Sequence, residues 1–269
     1  MSSYWREKVC IVTGGSAGLG LAISHALAQA GAHVVPVARN TERLEAAAAE
    51  LRRTGAQVTP LSGDMVWQED VDRVAAAVAE QFGAVHLLCN CAGRSARGAA
   101  LDTSPEDFQQ LLDVNFLAAV RTTRAIAPLL MASRGHLVNV GSLASKAASR
   151  YMGAYPASKF ALAAYTQQLR LELSGEGLHV LLVCPGPIAR DDAGRRYAEA
   201  AGVPAGAQAP GAGARLKALP PEQVASAILR ACQRLSPELV MPRRAKLLFA
   251  LSQLSAAWGD WLLRKTTGG

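Results

Sequence analysis

The fold of this chain is decided by residues 9–20, which read Val9-Cys10-Ile11-Val12-Thr13-Gly14-Gly15-Ser16-Ala17-Gly18-Leu19-Gly20. The first five residues form a short apolar run, which is typical of a strand buried on both faces of a parallel sheet. A glycine-rich turn follows at once and leads into a helical pattern over residues 21–30. Such a unit binds phosphate groups, because the N–H groups at the helix start are exposed and no Cβ blocks their approach. The alternative is a glycine turn that binds no ligand.

Strand-like and helix-like patterns alternate along the rest of the chain. Short apolar runs lie near residues 9–13, 33–38, 57–62, 85–90, 135–140, 179–184 and 238–241. This alternation predicts an α/β fold, a doubly wound (Rossmann-like) parallel sheet of about seven strands with helices on both faces. Ligands of such sheets bind at the carboxyl ends of the strands. We therefore expect Gly14, Asn90, Ser142 and Pro185, which each follow a strand, to meet at one edge.

A second stretch carries chemistry, Tyr155-Pro156-Ala157-Ser158-Lys159. Its tyrosine and lysine stand four residues apart in a helical pattern, so both side chains project from one face. A lysine beside a tyrosine favours the phenolate, and a phenol of lowered pKa exchanges a proton with an alcohol near neutral pH. The pair therefore indicates alcohol or carbonyl chemistry. The same pair also occurs on solvated helix faces, so its neighbours decide.

Five matches, in order, resemble the motifs of the short-chain dehydrogenase/reductase family over roughly residues 6–242. They are the Thr-Gly-x-x-x-Gly-x-Gly turn from Thr13, the segment Asn90-Cys91-Ala92-Gly93, Asn115, Ser142 with Tyr155 and Lys159, and Pro185-Gly186-Pro187-Ile188. The resemblance implies a nicotinamide dinucleotide cofactor. The implied contacts to it are Thr13, Gly14, Ser16, Gly18, Leu19, Gly20, Asn90, Ala92, Gly93, Tyr155, Lys159, Pro185, Gly186 and Ile188.

The resemblance also implies a catalytic tetrad of Asn115, Ser142, Tyr155 and Lys159. Tyr155 would protonate the carbonyl oxygen as hydride arrives, and Lys159 would lower the Tyr155 pKa and hydrogen-bond the nicotinamide ribose. Ser142 would donate to the same carbonyl oxygen, and Asn115 would hold a water that passes protons onward from Lys159. The implied substrate contacts suit a hydrophobic ketone or alcohol, or a substrate with an anionic group beside Arg94 or Arg150. They are Arg94, Ser142, Leu143, Ala144, Arg150, Met152 and Tyr155.

One position departs from the family pattern. The family often has threonine two residues after the Ile188 position, where it binds the carboxamide, whereas this chain has Arg190. Arg190 would either attract the pyrophosphate or point to water. The sequence leaves these two alternatives open.

The end of the second strand bears on the choice of cofactor. A site that prefers NAD places an acid there to bind the ribose hydroxyls, and that acid repels a 2′-phosphate. Here Ala38 is followed by Arg39, whose planar and permanently charged guanidinium matches a phosphate. We predict a preference for NADP(H), with NAD(H) as the second candidate; the alternative is that Arg39 lies over the adenine edge. Asp64 resembles the family's adenine-contacting acid, although a loop aspartate also caps helices.

The length and the composition of the chain limit its possible domain organisation. A chain of 269 residues with 50% hydrophobic content fits one large α/β domain. We predict a dinucleotide-binding and catalytic domain at residues 1–242 and a C-terminal amphipathic helical extension at 243–269. A mobile substrate lid is predicted at about 187–218, where Ala, Gly and Pro are dense, with a plain linker as the alternative.

Charge, cysteines and histidines exclude several functions. The net charge of +7 is dispersed rather than gathered in a stripe with aromatics, so we predict no nucleic-acid partner. Five cysteines and five scattered histidines lack metal-ligand spacing, so we predict free buried thiols, surface or packing histidines and no metal.

The first residues lack the apolar core of a signal peptide, and no run of about 18 apolar residues occurs. The predicted location is cytoplasmic.

Residues 245–265 predict a long helix, interrupted at Gly259. An apolar stripe of this kind usually serves as core or interface, so we expect it to cover the substrate cleft or to pack on a partner subunit of a dimer or tetramer. A helix that lies on a membrane surface has the same features and is the alternative. The apolar residues at helical spacing are Leu247, Leu251, Leu254, Trp258, Trp261 and Leu262, and the flanking bases are Arg243, Arg244, Lys246, Arg264 and Lys265.

These features predict an NADP(H)-dependent oxidoreductase that interconverts a small-molecule carbonyl and a secondary alcohol. A dinucleotide-binding sensor without turnover is the alternative from another class, since a fold alone does not determine function. A peripheral-membrane reductase of lipid carbonyls is the third hypothesis.

Overall fold

The computed structural model describes residues 3–190, 203–208, 216–252 and 254–266. Within these residues one sheet contains seven strands in the spatial order β3-β2-β1-β4-β5-β6-β7. All neighbouring strands are parallel, which confirms the predicted Rossmann-like sheet. The strands are β1 (Val9–Thr13), β2 (His33–Ala38), β3 (Leu61–Ser62), β4 (Leu87–Asn90), β5 (His136–Val140), β6 (His179–Pro185) and β7 (Glu238–Met241).

Helices connect the strands and cover both faces of the sheet. On one face α1 and α8 bury Leu27 and Ile228 against the strands. On the other face α3 and α5 bury Val74 and Ile126. The helices are α1 (Gly18–Gln29), α2 (Thr41–Arg52), α3 (Gln68–Phe82), α4 (Pro105–Leu112), α5 (Ala118–Ala132), α6 (Tyr155–Leu173), α7 (Ala205–Gln208), α8 (Pro221–Gln233), α9 (Arg244–Ser252) and α10 (Ala256–Thr266).

Two parts of the chain differ from the prediction or fall outside the description. The third strand was predicted over residues 57–62, but β3 has only two residues and a single bridge pairs Val34 with Val58 before it. Pro60 has no N–H for the ladder, and this edge of the sheet tolerates the gap. The predicted lid at about 187–218 lies mostly outside the described residues, which include only 187–190, 203–208 and 216–218 of it.

The strand order places a crevice between β1 and β4. The chain runs outward from β1 to β3 on one side and from β4 to β7 on the other, so the order reverses there. Thr13 at the end of β1 is the register partner of Asn90 at the end of β4. Ligands of doubly wound sheets bind at this switch point, because the two connections diverge and leave an opening. The predicted glycine turn and the Asn90 segment meet there.

The C-terminal extension forms two helices rather than one long helix. The break lies between Ser252 and Ala256, and the prediction of an interruption at Gly259 was wrong. Gly259 is inside α10 where the two helices meet, since a Cβ added to it would lie 2.6 Å from the carbonyl oxygen of Ser252. A glycine there serves close helix packing and not a helix break. Among the described helices, none has the length and apolar character needed to cross a bilayer.

Two of the five histidines lie closer together than the sequence suggested. At the end of the sheet where β5 and β6 begin, His136 Nδ1 lies 2.9 Å from His179 Nδ1. Tyr4 Oη lies 2.6 Å from His136 Nε2, and His179 Nε2 lies 2.8 Å from Ser236 O. Cys232 Sγ is within 4.8 Å of both imidazoles. All four ring nitrogens have protein partners, so one neutral hydrogen-bonded chain from the tyrosine hydroxyl to the carbonyl accounts for the cluster.

This cluster should make the protein less stable in acid. Burial, followed by the His179, Lys8 and His86 charges, lowers the pKa of His136 to about 3. In the unfolded chain His136 takes up a proton near pH 6.5, whereas in the folded chain it stays neutral down to about pH 3. Between these pH values the unfolded state binds more protons, so the free energy of unfolding decreases as the pH is lowered. We expect His136 to account for about 1–3 kcal/mol of unfolding free energy lost between pH 7 and 4. Urea unfolding at several pH values measures it.

The variant His136→Asn separates this effect from the protonation of carboxylates. Both proteins share those carboxylates, so their contribution cancels in the difference between the two pH profiles. The variant should be less stable than the parent at pH 7, because it loses hydrogen bonds, and should show a shallower loss toward acid. Parallel profiles would contradict the assignment.

Candidate active site

The turn between β1 and α1 has the backbone that the glycine spacing requires. Gly14 and Gly18 have φ values of +69° and +52°, a region that side chains with a Cβ rarely adopt. A Cβ on Gly20 would overlap the carbonyl oxygen of Gly14, whereas a Cβ on Gly18 would meet nothing within 4 Å. The turn is therefore closely packed on its protein side and open on the other. The open side has room for a phosphate.

The start of α1 faces this opening with its backbone N–H groups. Its N-cap residue, Ala17, provides no side-chain cap, and the first turn contains no acid that would repel an anion. Unpaired N–H groups and the positive end of the helix dipole attract phosphate. Ser16 is half-buried and Leu19 is buried, so among the predicted contacts Leu19 can offer only its backbone. These features fit the pyrophosphate of a dinucleotide.

Thr13 connects the glycine turn to the segment after β4. Its Oγ1 accepts hydrogen bonds from the N–H groups of Cys91 and Ala92, each at 3.1 Å, and its side chain is buried. A Cβ on Gly14 would lie 3.0 Å from the Cα of Ala92, so the two segments touch. Thr13 was predicted as a cofactor contact, but its hydroxyl is engaged within the protein. Its observed role is to hold the two edges of the crevice together.

Asn90 is also turned into the protein. Its Nδ2 donates to Thr123 Oγ1 at 3.0 Å and to Asn139 Oδ1 at 2.9 Å, which ties β4 to α5 and β5. Asn139 in turn donates to Thr166 of α6 at 3.0 Å. Buried polar groups are stable only when paired, so this chain fixes the spacing of the central strands. The Asn90 Nδ2 is thus engaged within the protein, whereas its buried Oδ1 has no hydrogen-bond partner among the described residues.

Arg39 lies at the mouth of the crevice beside Asp64. Its side chain is 74% exposed, and its Nη1 is 3.4 Å from Asp64 Oδ2. Asp64 Oδ1 also accepts from the backbone N–H of Val66 at 3.1 Å, as a turn-forming aspartate does. A long, exposed ion pair of this kind contributes little, so Arg39 can turn to another anion. The structure thus brings together these two predicted cofactor contacts, which follow β2 and β3.

Lys159 is the most deeply buried charged residue of the candidate site. Only 5% of it is exposed, and Nζ donates to the carbonyl oxygen of Val140 at 2.9 Å. Burial lowers its pKa to about 8, against the opposing effects of Cys91 and Cys184. Nζ lies 5.9 Å from the centroid of the Tyr155 ring, one turn away on α6. The predicted shared face is observed, and it points into the protein.

Asn115 sits in a π-helical turn at Asp113–Leu117, a distortion common at functional sites. Its Oδ1 accepts from the N–H of Arg94, and its Nδ2 donates to Arg94 O and to Ser158 Oγ, each at 2.9 Å. Ser158 donates onward to Tyr155 O at 2.8 Å. Gly93 allows this approach, since a Cβ there would lie 2.8 Å from Asn115 Oδ1. Sequence reasoning missed Ser158, although it lies inside the quoted Tyr-Lys stretch.

Ser142 follows β5 and starts a 3₁₀ turn at Leu143–Ser145. Its Oγ accepts from the N–H of Ala144 at 3.1 Å, and its own N–H donates to Ser145 Oγ at 3.1 Å. Ala144 and Met152 are buried and pack with Tyr155 in one small apolar cluster. Three predicted substrate contacts, Ala144, Met152 and Tyr155, therefore share one wall.

Two of the other predicted substrate contacts, Arg94 and Arg150, lie outside this cluster. Arg94 is exposed, and its Nη2 donates to Gln110 of α4 at 2.9 Å, on the edge of a cavity of about 360 Å³. Arg150 is exposed, with its guanidinium 5.7 Å from the Tyr151 ring centroid. Sequence reasoning missed Arg97, whose Nε donates to Ala207 O of α7 at 2.9 Å and so anchors part of the lid region. No motif in the sequence marks Arg97.

The segment after β6 is held to the C-terminal part of the sheet. Gly186 N–H donates to Met241 O at 2.8 Å, and Pro187 and Ala189 pair with Leu219 at 2.7 and 2.8 Å. Ile188 packs against the core. These bonds hold the start of the predicted lid region at the carboxyl ends of β6 and β7.

Arg190 lies close enough to act on the Cys91 thiol. Burial raises the pKa of Cys91 to about 11, while the charges of Lys159 and Arg190 oppose the rise. Cys91 belongs to the segment that touches the glycine turn, so an exposed cation stands near the predicted pyrophosphate. Both alternatives for Arg190, attraction of the pyrophosphate and orientation toward water, stay predictions.

Several known proteins are similar to this chain. The sequence model of the family described as short chain dehydrogenase matches residues 8–200. An uncharacterized oxidoreductase of Bacillus subtilis, YxnA, is 33% identical over 264 residues, which cover 97% of this chain and 72% of the relative. The glycine betaine reductase ATRR of Emericella nidulans is 35% identical over 232 residues, 84% of this chain, but the match spans only 18% of that relative's length.

Solved structures agree in fold. A short-chain dehydrogenase from Streptomyces avermitilis has a TM-score of 0.80 and 28% identity, and the match covers 97% of this chain and 96% of that one. An L-sorbose reductase from Gluconobacter frateurii, complexed with NADPH and L-sorbose, has a TM-score of 0.75 and 26% identity over 87% of this chain and 93% of that one.

Proposed function

Since this chain belongs to the short-chain dehydrogenase/reductase family and is an NAD(P)-dependent oxidoreductase, we propose that it interconverts a carbonyl group and a secondary alcohol with NADP(H). Tyr155 gives its proton to the carbonyl oxygen in reduction and takes it back in oxidation. The substrate is a small molecule whose carbonyl reaches the Tyr155 hydroxyl beside Ala144 and Met152.

The observation that carries this proposal is the buried ammonium group of Lys159. With a pKa of about 8 it stays mostly charged at neutral pH, and it lies one helical turn from Tyr155. A cation at this distance stabilises the phenolate that remains after Tyr155 has given up its proton. The cofactor, when bound, supplies or accepts the hydride. Lys159 is also the proposed partner of the nicotinamide ribose.

Ser142 is the proposed second donor to the carbonyl oxygen. Its Oγ already accepts the Ala144 N–H, so its hydroxyl hydrogen is left to donate toward the substrate. A fixed donor aimed at developing negative charge lowers the barrier, because no reorganisation is needed during the reaction. The 3₁₀ turn holds this hydroxyl in place.

Asn115 is proposed to act mainly by positioning. Its side-chain amide is engaged by Arg94 and Ser158, so it links the Gly93 loop to the start of α6. A water that relays protons from Lys159, as the family pattern implies, is then better held by the Asn115 backbone carbonyl in the π-helical turn. The proton path would run from Tyr155 through Lys159 to that water.

The preference for NADP(H) rests on Arg39 and on the lack of an acid at Ala38. The NADPH complex of the related L-sorbose reductase supports it. We expect Arg39→Ala to weaken NADPH binding by about 1–3 kcal/mol, the usual worth of a charge-assisted contact. NADH binding should change far less, because NADH has no 2′-phosphate. Fluorescence titration with each reduced cofactor measures the two dissociation constants.

Arg190→Ala is the matched control for that comparison. It also removes one guanidinium from the cofactor side of the sheet, but the proposed partner of Arg190 is the pyrophosphate, which both cofactors contain. Its effect on NADPH and NADH should therefore be equal. Equal losses in Arg39→Ala, or tighter binding of NADH by the parent protein, would overturn the proposed preference.

Turnover itself separates an enzyme from a sensor. A screen of ketones, ketoacyl compounds and sterols against NADPH and NADH, followed as loss of reduced-cofactor absorbance, should find steady oxidation with at least one carbonyl. Cofactor binding without turnover across the panel would favour a dinucleotide-binding sensor. Turnover confined to sterols or other lipid carbonyls would favour the peripheral-membrane reductase.

We also propose a catalytic unit at residues 1–242 with an extension at 243–269, working as a homo-oligomer, a dimer or a tetramer. The exposed Phe160 and Leu171 of α6 support an interface, since large apolar side chains on one helix usually have a partner. Light scattering after gel filtration tests the oligomeric state.

A further inference from the structure

The two C-terminal helices leave an unusual set of large apolar side chains in solvent. Five such residues occur within fifteen positions, each 40–78% exposed. The helices have other residues for packing, since Ala245 and Phe249 of α9 are buried against Leu182 and Val240 of the sheet. The exposed apolar residues are therefore not needed for packing α9 against the sheet. We call it the C-terminal apolar face, and it consists of Leu247, Leu251, Leu254, Trp258 and Trp261.

Contact between the helices brings the two parts of this face near each other. Gly259 of α10 lies against the carbonyl oxygen of Ser252 at the end of α9. Leu251 and Trp258 are the chain neighbours of these two contact residues, so the contact between α9 and α10 lies next to exposed apolar residues of both helices. The face then exceeds the scattered single apolar residues that are normal on a protein surface.

Basic residues flank the C-terminal apolar face along the chain. Between residues 243 and 266 there are five basic residues and one acid, Asp260, which gives this segment a net charge of +4. Lys265 Nζ lies 4.2 Å above the Trp261 ring, so a charge and an indole stand side by side. Arg243 precedes α9, Arg244 and Lys246 lie in its first turn, and Arg264 and Lys265 lie in the last turn of α10.

We propose that the C-terminal apolar face binds the surface of a bilayer that contains anionic phospholipid. Indoles and leucines would enter the boundary between headgroups and acyl chains, and the flanking bases would contact phosphate groups. No described helix is suited to crossing the bilayer, so the segment lies on it. This inference does not depend on the proposed chemistry, because the face lies on α9, on α10 and on Leu254 between them, and contains none of the proposed catalytic residues.

Charge disfavours the other occupants of this face. A twofold dimer through it would set the same patch against itself and bring two segments of net charge +4 together. A role as cover of the substrate cleft requires the face to be buried, whereas all five residues are exposed. A bilayer that contains anionic lipid can bury the apolar side chains and can also neutralise the positive charge of the segment.

Sedimentation of the full chain with lipid vesicles tests the proposal. The vesicles are phosphatidylcholine alone, or phosphatidylcholine with about one third phosphatidylglycerol. Binding to the anionic vesicles should be at least about tenfold stronger than to the neutral ones, and weaker at high salt. The double variant Trp258→Ser/Trp261→Ser should lose about tenfold or more of this binding. Arg264→Glu/Lys265→Glu should lose binding to the anionic vesicles only.

Trp67→Ser is the matched control, because Trp67 is 63% exposed and lies at the start of α3. It should bind the vesicles as the parent does. Absence of binding to anionic vesicles, or an equal loss in the Trp67 variant, would overturn the proposal. So would a smaller assembly of the Trp258/Trp261 variant in lipid-free buffer, measured by light scattering, since the face would then be covered by a second copy. The readout uses no substrate, so failure of the proposed chemistry would leave it unchanged.

Discussion

Tyr155→Phe is expected to lower turnover by about 10²–10⁴-fold, the range that a positioned general acid contributes. NADPH binding should change by less than about twofold, since only a proton donor is removed. The ring would keep its packing with Ala144 and Met152. The measurement is kcat with a carbonyl identified in the screen, beside a fluorescence titration of NADPH. Loss of turnover with retained binding identifies the hydroxyl as the reacting group.

Tyr165→Phe is the control on the same helix. Tyr165 lies on α6 beyond the candidate site, with its ring 6.0 Å from that of Phe116. The same oxygen atom is removed, and turnover should stay close to that of the parent. A Tyr155→Phe enzyme with near-normal turnover would refute the mechanism, whatever the fold. Equal losses in both variants would indicate damage to α6 instead.

The environment of Lys159 shows what the sequence could and could not predict about this pair. The spacing of Tyr155 and Lys159 predicts one shared helix face, because residues four apart overlap in projection. Spacing does not say whether that face meets water or protein. The structure buries Lys159 against β5, where it donates to Val140 O, and burial is what lowers its pKa. A pattern within one helix cannot contain that information.

The sheet could also be predicted from the sequence, whereas the contacts between distant side chains could not. Alternating apolar runs predict a doubly wound sheet, since the connections must be right-handed and the strands buried on both faces. Contacts between distant side chains do not follow from such patterns. Thr13 accepts from residues 78 and 79 positions away, and His136 contacts His179 across 43 positions. These contacts give the Thr13 hydroxyl a connecting role that the sequence does not show, and they bring together two histidines that lie far apart in the sequence.

The C-terminal helices repeat this lesson on a local scale. The apolar spacing predicts a helical, amphipathic extension, and both helices are present. The sequence predicts an interruption at Gly259, and glycine does weaken an isolated helix. Tertiary contact decided otherwise, since the absence of a Cβ lets α10 approach Ser252. The low helix propensity of glycine does not end a helix where close packing of two helices requires a residue without a Cβ.

Gly20→Ala is expected to abolish cofactor binding and to lower the free energy of unfolding by about 2–4 kcal/mol. The new Cβ would overlap the Gly14 carbonyl oxygen and lie 3.3 Å from the Gly15 Cα. Both neighbours are backbone atoms that cannot rotate away, so the turn must open. Alanine gains about 1 kcal/mol over glycine in a helix interior, and this clash outweighs that gain. Urea unfolding and NADPH titration measure the two effects.

Gly175→Ala adds the same methyl group where it should do no harm. A Cβ at Gly175 would meet nothing within 4 Å, and its φ lies outside the positive range. Its stability and NADPH affinity should therefore match those of the parent. If Gly20→Ala kept both properties as well, the tight turn would not be the phosphate-binding element. A Gly20→Ala protein that lost stability but bound NADPH normally would separate the turn's structural role from cofactor binding and contradict the site proposed here.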